Sequence, residues 1–161
     1  MNRQPDDPSG TSADDVDVVA GLLGRRPAGE FTVAVRQADG APVVIVNAPF
    51  LADGTPMPTR YWLVDPALRE AVSRLESTGG VRQAEAEVDP DALAAAHARY
   101  AAERDATVAD DHVGPRPSGG VGGTRQGVKC LHAHLAWWLA GGDDPVGEWV
   151  VQRVGAGRPV G

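Results

Sequence analysis

The residues best suited to chemistry lie together near the C-terminus, between positions 119 and 142. This segment contains the only cysteine, Cys130, the only lysine, Lys129, and two of the four histidines, His132 and His134. Thiol, imidazole and carboxylate groups are the ligands that zinc prefers, whereas backbone N–H groups at the start of a helix can hold an anion. We therefore place the candidate site in this segment.

Zinc is one predicted occupant of the candidate site. On a helix, Cys130 and His134 stand four residues apart and share one face. Asp65, at the start of another predicted helix, supplies a third ligand, with His132 or His112 as substitutes. The chain has no second cysteine and no HExxH motif, so a structural interpretation stays open. In that interpretation Cys130 is a small buried residue and His134 forms an ordinary hydrogen bond.

An anionic small molecule, for example a phosphorylated one, is the other predicted occupant. Four glycines within five residues, at positions 119, 120, 122 and 123, precede a helix predicted from about 125 to 140. Glycines let backbone N–H groups approach a ligand closely, and the helix start adds unpaired N–H groups. The alternative is a loose loop with a threonine cap. The predicted ligand-binding residues are Gly122, Gly123, Thr124, Arg125, Lys129 and His132.

The same segment leaves an enzymatic role open. Lys129 and His134 beside Cys130 would favour a nucleophilic thiolate. Cys130 lies, however, in the second turn of the predicted helix, where the helix dipole has little effect. The sequence therefore predicts no particular reaction.

The elements that must position these residues predict an α+β fold. Alternating apolar residues at 31–35 and 43–46 flank the turn Asp39-Gly40, which is the pattern of an antiparallel hairpin, and residues 61–64 continue it as a third strand. Trp62, the larger of two adjacent rings, is expected in the core. We expect this small sheet to pack against three to four helices, at 13–23, 66–78, 90–107 and 125–140.

Four glutamates are predicted to lie on a solvated acidic face, at positions 70, 76, 85 and 87. A solvated face is the ordinary environment of glutamate, which is rarely buried without a partner. No catalytic role is therefore assigned to them.

Composition limits the classes of protein to which the chain can belong. Its 161 residues, 42% of them hydrophobic, suffice for one packed domain, which we expect over residues 12–154 between a disordered tail, 1–11, and a loose tail, 155–161. The net charge of −7 argues against a nucleic-acid partner, and no apolar run has the length of a membrane span. The single cysteine fits the reducing cytoplasm.

Three blocks of the chain carry a resemblance to a known family. They are Val128 to His134 with the closing Leu139-Ala140-Gly141-Gly142, then Asp53 to Thr59 followed by Tyr61-Trp62-Leu63, and Ser73-Arg74-Leu75-Glu76 followed by Gly79. Together they resemble a bacterial family, domain of unknown function family 501, over about residues 16–150. Arg60 departs from the family pattern, which has an apolar residue there, and Asp65 stands where many relatives have Cys or His.

The resemblance implies little chemistry, because the family has no established activity. Its members are encoded near a septum-formation initiator homologue and an exopolyphosphatase-like protein. This neighbourhood implies the alternative function, a non-enzymatic protein-interaction module linked to cell division or polyphosphate metabolism. Such a module would bind its protein partner through an exposed tryptophan of the Trp137-Trp138 pair and the acidic surface.

Overall fold

The computed structural model describes residues 13–155, and their fold is α+β. One antiparallel sheet has the strand order β1-β2-β3, and the remaining regular structure is helical. The strands are β1 Phe31–Arg36, β2 Pro42–Asn47 and β3 Tyr61–Leu63. The α-helices are α1 Ala13–Leu23, α2 Pro66–Ser77, α3 Gly80–Glu87, α4 Pro90–Asp105, α5 Leu131–Leu139 and α6 Pro145–Val154, and a single 3₁₀ turn spans Val121–Gly123. The predicted tail at 1–11, and all of the predicted tail at 155–161 except Gly155, lie outside the described residues.

The predicted hairpin and third strand are confirmed. β1 pairs antiparallel with β2, and β2 pairs antiparallel with β3, with Ile45 opposite Trp62. At the hairpin turn Gly40 has φ 90°, and Asp39 accepts a hydrogen bond of 2.9 Å from the N–H of Ala41. A glycine relieves the steric cost of that positive φ, which explains the Asp-Gly signal in the sequence.

The expectation that Trp62 takes the core position was wrong. Tyr61 is buried in the main core, whereas Trp62 is half-buried on the opposite face of β3, beside a smaller apolar cluster. Tyr61 can be buried because its hydroxyl donates to Glu103 over 2.9 Å and its ring meets Tyr100 edge to face. Trp62 instead lies under the guanidinium of Arg25, whose Cζ is 5.8 Å from the ring centroid.

Aspartate followed by proline marks the start of three helices. Asp65 and Asp89 each accept a hydrogen bond of 2.9 Å from the third helical N–H, as expected for α2 and α4. The same pair at Asp144 and Pro145 begins α6, which the sequence analysis did not predict. The other unpredicted helix, α3, begins directly after Gly79, whose φ of 88° separates it from α2.

The helix predicted from about residue 125 begins at Leu131. The preceding backbone cannot be helical, because Gly122 and Gly127 have φ values of 69° and 65°. Cys130 is extended, at φ −150° and ψ 123°, and forms the N-cap without a side-chain capping hydrogen bond. Consequently Lys129 and Cys130 precede the helix, which changes the directions of both side chains relative to the sequence expectation.

Helix α4 carries a buried polar stripe at the centre of the fold. His97, Tyr100 and Arg104 are 4%, 0% and 1% exposed and follow one another at helical spacing. The Tyr100 hydroxyl accepts hydrogen bonds from the N–H groups of Arg60, over 2.6 Å, and Tyr61, over 3.2 Å. Burial raises the pKa of Tyr100 to about 12, so the phenol stays protonated at neutral pH.

Arg104 connects two loops that are distant in sequence. Its guanidinium donates to the carbonyl oxygens of Pro58, over 3.1 Å, Ser118, over 3.3 Å, and Gly119, over 2.8 Å. It also donates to the Asp105 carboxylate over 3.0 Å. The fixed fork of five N–H donors suits this arrangement, because one side chain satisfies several carbonyl groups at once.

Replacing Arg104 should therefore be costly. We expect Arg104→Leu to lower the free energy of unfolding by about 3 kcal/mol or more, because the carbonyl groups that the buried guanidinium joins lose their shared donor. Urea denaturation followed by tryptophan fluorescence measures the change. The matched control, Arg82→Leu, removes an exposed arginine of α3 and should shift stability by about 0.5 kcal/mol at most. Equal effects of the two substitutions would contradict the role assigned to Arg104.

Candidate functional site

A cleft of about 640 Å³ opens between β3, α2 and the start of α5. This volume lies within the range of small-molecule sites. Aromatic side chains of β3 form one part of the lining, and polar side chains of α2 and α5 form another. The lining includes Arg25, Tyr61, Trp62, Arg69, Glu70, Ser73, Gly122, Cys130, His132 and Ala133.

Cys130, His132 and Glu76 form a compact cluster at this cleft. The Cys130 Sγ lies 3.8 Å from His132 Nδ1, and Glu76 Oε1 contacts the same nitrogen. One ligand atom from each residue lies within 4.8 Å of the other two. Cys130 and His132 reach the cluster because the chain is still extended at 130 and becomes helical at 131, and Glu76 comes from the last turn of α2.

The other nitrogen of His132 is held by α2. His132 Nε2 lies 3.2 Å from the carbonyl oxygen of Arg69 and 3.3 Å from the hydroxyl of Ser73. A carbonyl can only accept, so Nε2 carries a proton. Nδ1 faces the Glu76 carboxylate, which also only accepts, so the two groups share a second proton in the charged ring, and Nδ1 presents a lone pair only after losing it. The contact with Cys130 and the charge of Glu76 raise the pKa of His132 against the opposing effect of burial.

His134 points away from the cleft and serves the packing of α5 against α6. Two residues along a helix turn a side chain by roughly 200°, so His132 and His134 lie on different faces. His134 is fully buried, and its Nδ1 lies 2.6 Å from the carboxylate of Asp144. Asp144 also caps α6 by accepting from the N–H of Val146 over 2.9 Å. Among residues 13–155, no group bonds the other nitrogen of His134, Nε2.

Asp65 and His112 also lie apart from Cys130. The Asp65 carboxylate caps α2 and accepts a second hydrogen bond of 2.7 Å from the Gln37 amide. His112 stacks on Phe50 with 4.2 Å between ring centroids. The structure therefore brings Cys130 together with His132 and Glu76, and not with His134, Asp65 or His112, because the helix begins later than expected.

Most N–H groups of the glycine-rich loop bond within the protein. The N–H of Gly120 donates to Thr124 O over 2.7 Å, that of Gly123 to Gly120 O over 3.0 Å, and that of Val121 to His97 Nδ1 over 3.0 Å. The loop also fits closely against His97, because a Cβ on Gly120 would lie 2.4 Å from Nδ1. Three N–H groups of the loop are thus already bonded, one of them to His97 of α4.

The predicted ligand-binding residues are spread over more than one surface. Gly122 lines the cleft with His132, whereas Gly123 lies next to Pro58. The Thr124 hydroxyl donates to Gln126 O over 2.8 Å. Arg125 lines two other hollows, which it shares with His97, and Lys129 is exposed.

Sequence reasoning missed the polar side of α2. Arg69, Ser73 and Glu76 follow one another at helical spacing, and all three border the cleft or its cluster. Their spacing was a usable signal, since Ser73 and Glu76 belong to one of the family-like blocks. Arg25, from the segment before β1, was missed because nothing local indicates its approach to Trp62.

The predicted solvated acidic face was wrong for one of its four glutamates, Glu76, whereas the other three are exposed. The Glu76 side chain is about one quarter exposed, at 26%, and contacts His132. Glu87 accepts from the Trp149 indole over 2.5 Å and from Arg153 over 2.8 Å, which joins α3 to α6. Glu70 is exposed like Glu87 and pairs with Arg74 on the same helix. The sequence could not indicate the contacts of Glu76 and Glu87, because their partners lie about 60 residues away along the chain.

The chain matches the model of one family, described as a protein of unknown function (DUF501), over residues 33–152. It therefore belongs to this family, and the resemblance seen in the sequence is confirmed. No curated protein and no solved structure matches the chain. Within residues 13–155, no helix has both the length and the apolar character needed to cross a bilayer.

His97 should make stability depend on pH. Its ring donates from Nε2 to Gly127 O over 2.8 Å and accepts at Nδ1 from Val121, so only the neutral form fits. Burial lowers the pKa of His97. The unfolded chain, with a histidine pKa of about 6.5, therefore binds more protons, and this contribution is complete above pH 6.5 and lost as pH falls below it.

The variant His97→Asn should reduce the loss of stability between pH 7 and pH 5, measured by urea denaturation at each pH. Because the raised pKa of His132 acts in the opposite sense, the informative quantity is the difference in slope between wild type and variant. His112→Asn, at a histidine outside the loop contact, is the matched control. A slope unchanged by His97→Asn would contradict the prediction.

Proposed function

For a member of a family of unknown function, the cleft is the best guide to activity, and we propose that this protein binds a small anionic organic molecule there. The anionic group is a phosphate or a carboxylate. The observation that carries the proposal is the uncapped start of α5, which opens into the same cleft as the side chains of Arg25 and Arg69.

The start of α5 supplies directed hydrogen-bond donors. The first N–H groups of a helix have no partner within the helix, and the helix dipole makes this end positive. In α2, α4 and α6 an aspartate accepts from one of these groups, but in α5 the cap is Cys130, whose side chain does not. Cys130, His132 and Ala133 line the cleft, so an anion could take the place of the missing capping carboxylate.

Two guanidinium groups add positive charge. Arg69 lines the cleft, and its guanidinium group donates to the carbonyl oxygen of Leu22 over 3.0 Å, which fixes the position of that group. Arg25 lines it from the side of Trp62. Glu70 is the acidic member of the lining, so it favours a ligand that also carries a donor group. Because the whole chain has a net charge of −7, attraction of an anion must be local and sensitive to salt.

The apolar part of the lining favours an organic ligand over a bare ion. Tyr61, Trp62, Leu63 and Pro66 border the cleft together with the charged groups. Aromatic and aliphatic surfaces bind the carbon skeleton of a ligand, while a few polar groups set its orientation. The proposed ligand therefore combines an anionic group at α5 with a planar or apolar body against β3.

This proposal keeps Gly122 and His132 from the residues predicted by sequence and adds Arg25 and Arg69. The alternative function, an interaction module linked to cell division or polyphosphate metabolism, has no comparable support. In the described part of the chain, the large hydrophobic residues that are exposed are Val18 and Val113, whereas Trp137 is buried and Trp138 is half-buried. That alternative stays a prediction from the family resemblance.

Calorimetric titration of the full-length protein with phosphate, pyrophosphate, nucleotides and small carboxylates tests the proposal. We expect Arg69→Gln to weaken binding by about 1.5–3 kcal/mol, the usual contribution of a charged hydrogen bond, and added salt to weaken it further.

Two substitutions locate the site. Arg125→Gln lies at other hollows and should leave affinity unchanged, as should the exposed Arg82→Gln. If Arg125→Gln weakens binding and Arg69→Gln does not, the anion binds at the glycine-rich loop and the cleft is the wrong location. If none of these anions binds to the wild-type protein, the proposed function is wrong.

A further inference from the structure

We propose that Glu76, Cys130 and His132 bind a divalent transition-metal ion of the zinc type at the edge of the cleft. The inference goes beyond the proposed function, because the metal would bind whether or not an anion is present. It differs from the ligand set expected from sequence in two ways. Glu76 replaces Asp65, and His132 replaces His134.

The three donor atoms lie at separations that one ion can bridge. The Sγ and Nδ1 atoms are 3.8 Å apart, and all three atoms lie within 4.8 Å of one another. Zinc bonds of about 2.0–2.3 Å in tetrahedral geometry place any two ligand atoms about 3.3–3.8 Å apart. Small side-chain rotations of Glu76 and Cys130 therefore suffice to complete the arrangement.

The hydrogen bonds of the cluster leave electron pairs facing one another. Arg69 O accepts from His132 Nε2, so Nδ1 is the ring nitrogen that faces Glu76 and Cys130 and that can offer a lone pair to an ion. Glu76 Oε1 is buried, and within residues 13–155 it has no hydrogen-bond partner of normal geometry although it contacts Nδ1. Nδ1 and the Glu76 carboxylate cannot contact each other through lone pairs alone, so a cation lies between them, which is either a proton or a metal ion in its place.

The groups that hold the other nitrogen of His132 favour a metal ion over a proton. Ligating histidines typically donate their other N–H to a carbonyl or carboxylate, which fixes the tautomer and the ring orientation. His132 has this arrangement, with Arg69 O at 3.2 Å and the Ser73 hydroxyl at 3.3 Å from Nε2. Both partners belong to α2, the helix that also supplies Glu76, so one helix positions the ligand and its support.

The donor set selects the class of metal. A thiolate and an imidazole with one carboxylate suit zinc and its neighbours, whereas magnesium and calcium take oxygen ligands. Three protein ligands leave the fourth tetrahedral position for water or a substrate group, as in catalytic zinc sites. Cys130 and His132 line the cleft, so this fourth position would be open to the bound molecule.

Titration of the metal-free, full-length protein with Zn²⁺ and with Co²⁺ tests the proposal. We expect one equivalent of either ion to bind, Co²⁺ to produce the intense near-ultraviolet band of a cobalt–thiolate bond, and Zn²⁺ to raise Tm by linkage to the folded state. Cys130→Ser should abolish the band, and Glu76→Gln should weaken Zn²⁺ affinity about tenfold or more. His112→Gln, at a histidine outside the cluster, should change neither.

Other outcomes would overturn the proposal. A wild-type protein that binds less than one equivalent of Zn²⁺ and gives no cobalt–thiolate band would show that the shared cation is a proton. Equal Zn²⁺ affinity in Glu76→Gln and wild type, with folding verified by circular dichroism, would remove Glu76 from the site. Arg69→Gln keeps the backbone carbonyl that supports His132, so it should retain Zn²⁺, which separates failure of the metal site from failure of anion binding.

Discussion

The structure depends first on one buried cation. Arg104 extends from α4 to carbonyl groups at Pro58, Ser118 and Gly119, so it joins the loop before β3 to the glycine-rich loop before α5. A guanidinium group leaves water at a high cost unless its donors are satisfied. Here backbone carbonyls and the exposed Asp105 carboxylate satisfy them, so no second charge is buried. The two loops set the positions of β3 and α5, which form two sides of the cleft. The geometry of the candidate site therefore depends on a residue that lies outside its lining.

Local signals predicted the elements whose formation depends on local interactions. The Asp39-Gly40 turn, the alternation on β1 and β2, and the Asp-Pro pair at Asp65 each act over a few residues, and each led to the observed element. Helix α5 was placed too early because its sequence is apolar on all sides, and seven of its nine residues are buried. Its periodicity therefore cannot mark the start, which depends on the positive φ of Gly127 instead.

The candidate site was only partly predictable for a related reason. Residue types led to Cys130 and His132, because rare side chains with metal-binding chemistry stand out in any sequence. The third member, Glu76, is one of many acidic residues, and only the crossing of α2 and α5 distinguishes it from Glu70 on the same helix. His134 shows the converse. Its residue type suggested chemistry, but its partner Asp144 holds it inside the packing of α5 and α6. Side-chain chemistry can be read from the chain, whereas the choice of partner requires the tertiary fold.

The contact between Gly120 and His97 has a consequence for how this loop can change during evolution. Glycine-rich loops are commonly regarded as pliable and permissive, but here the absence of a side chain lets the backbone touch an imidazole ring. Every other amino acid would push the loop away from α4 and disturb the carbonyl groups that Arg104 holds. A larger residue at position 120 would therefore require a smaller side chain at position 97. The absence of a Cβ at position 120 thus fixes the conformation of the loop, through a contact between two positions that lie 23 residues apart.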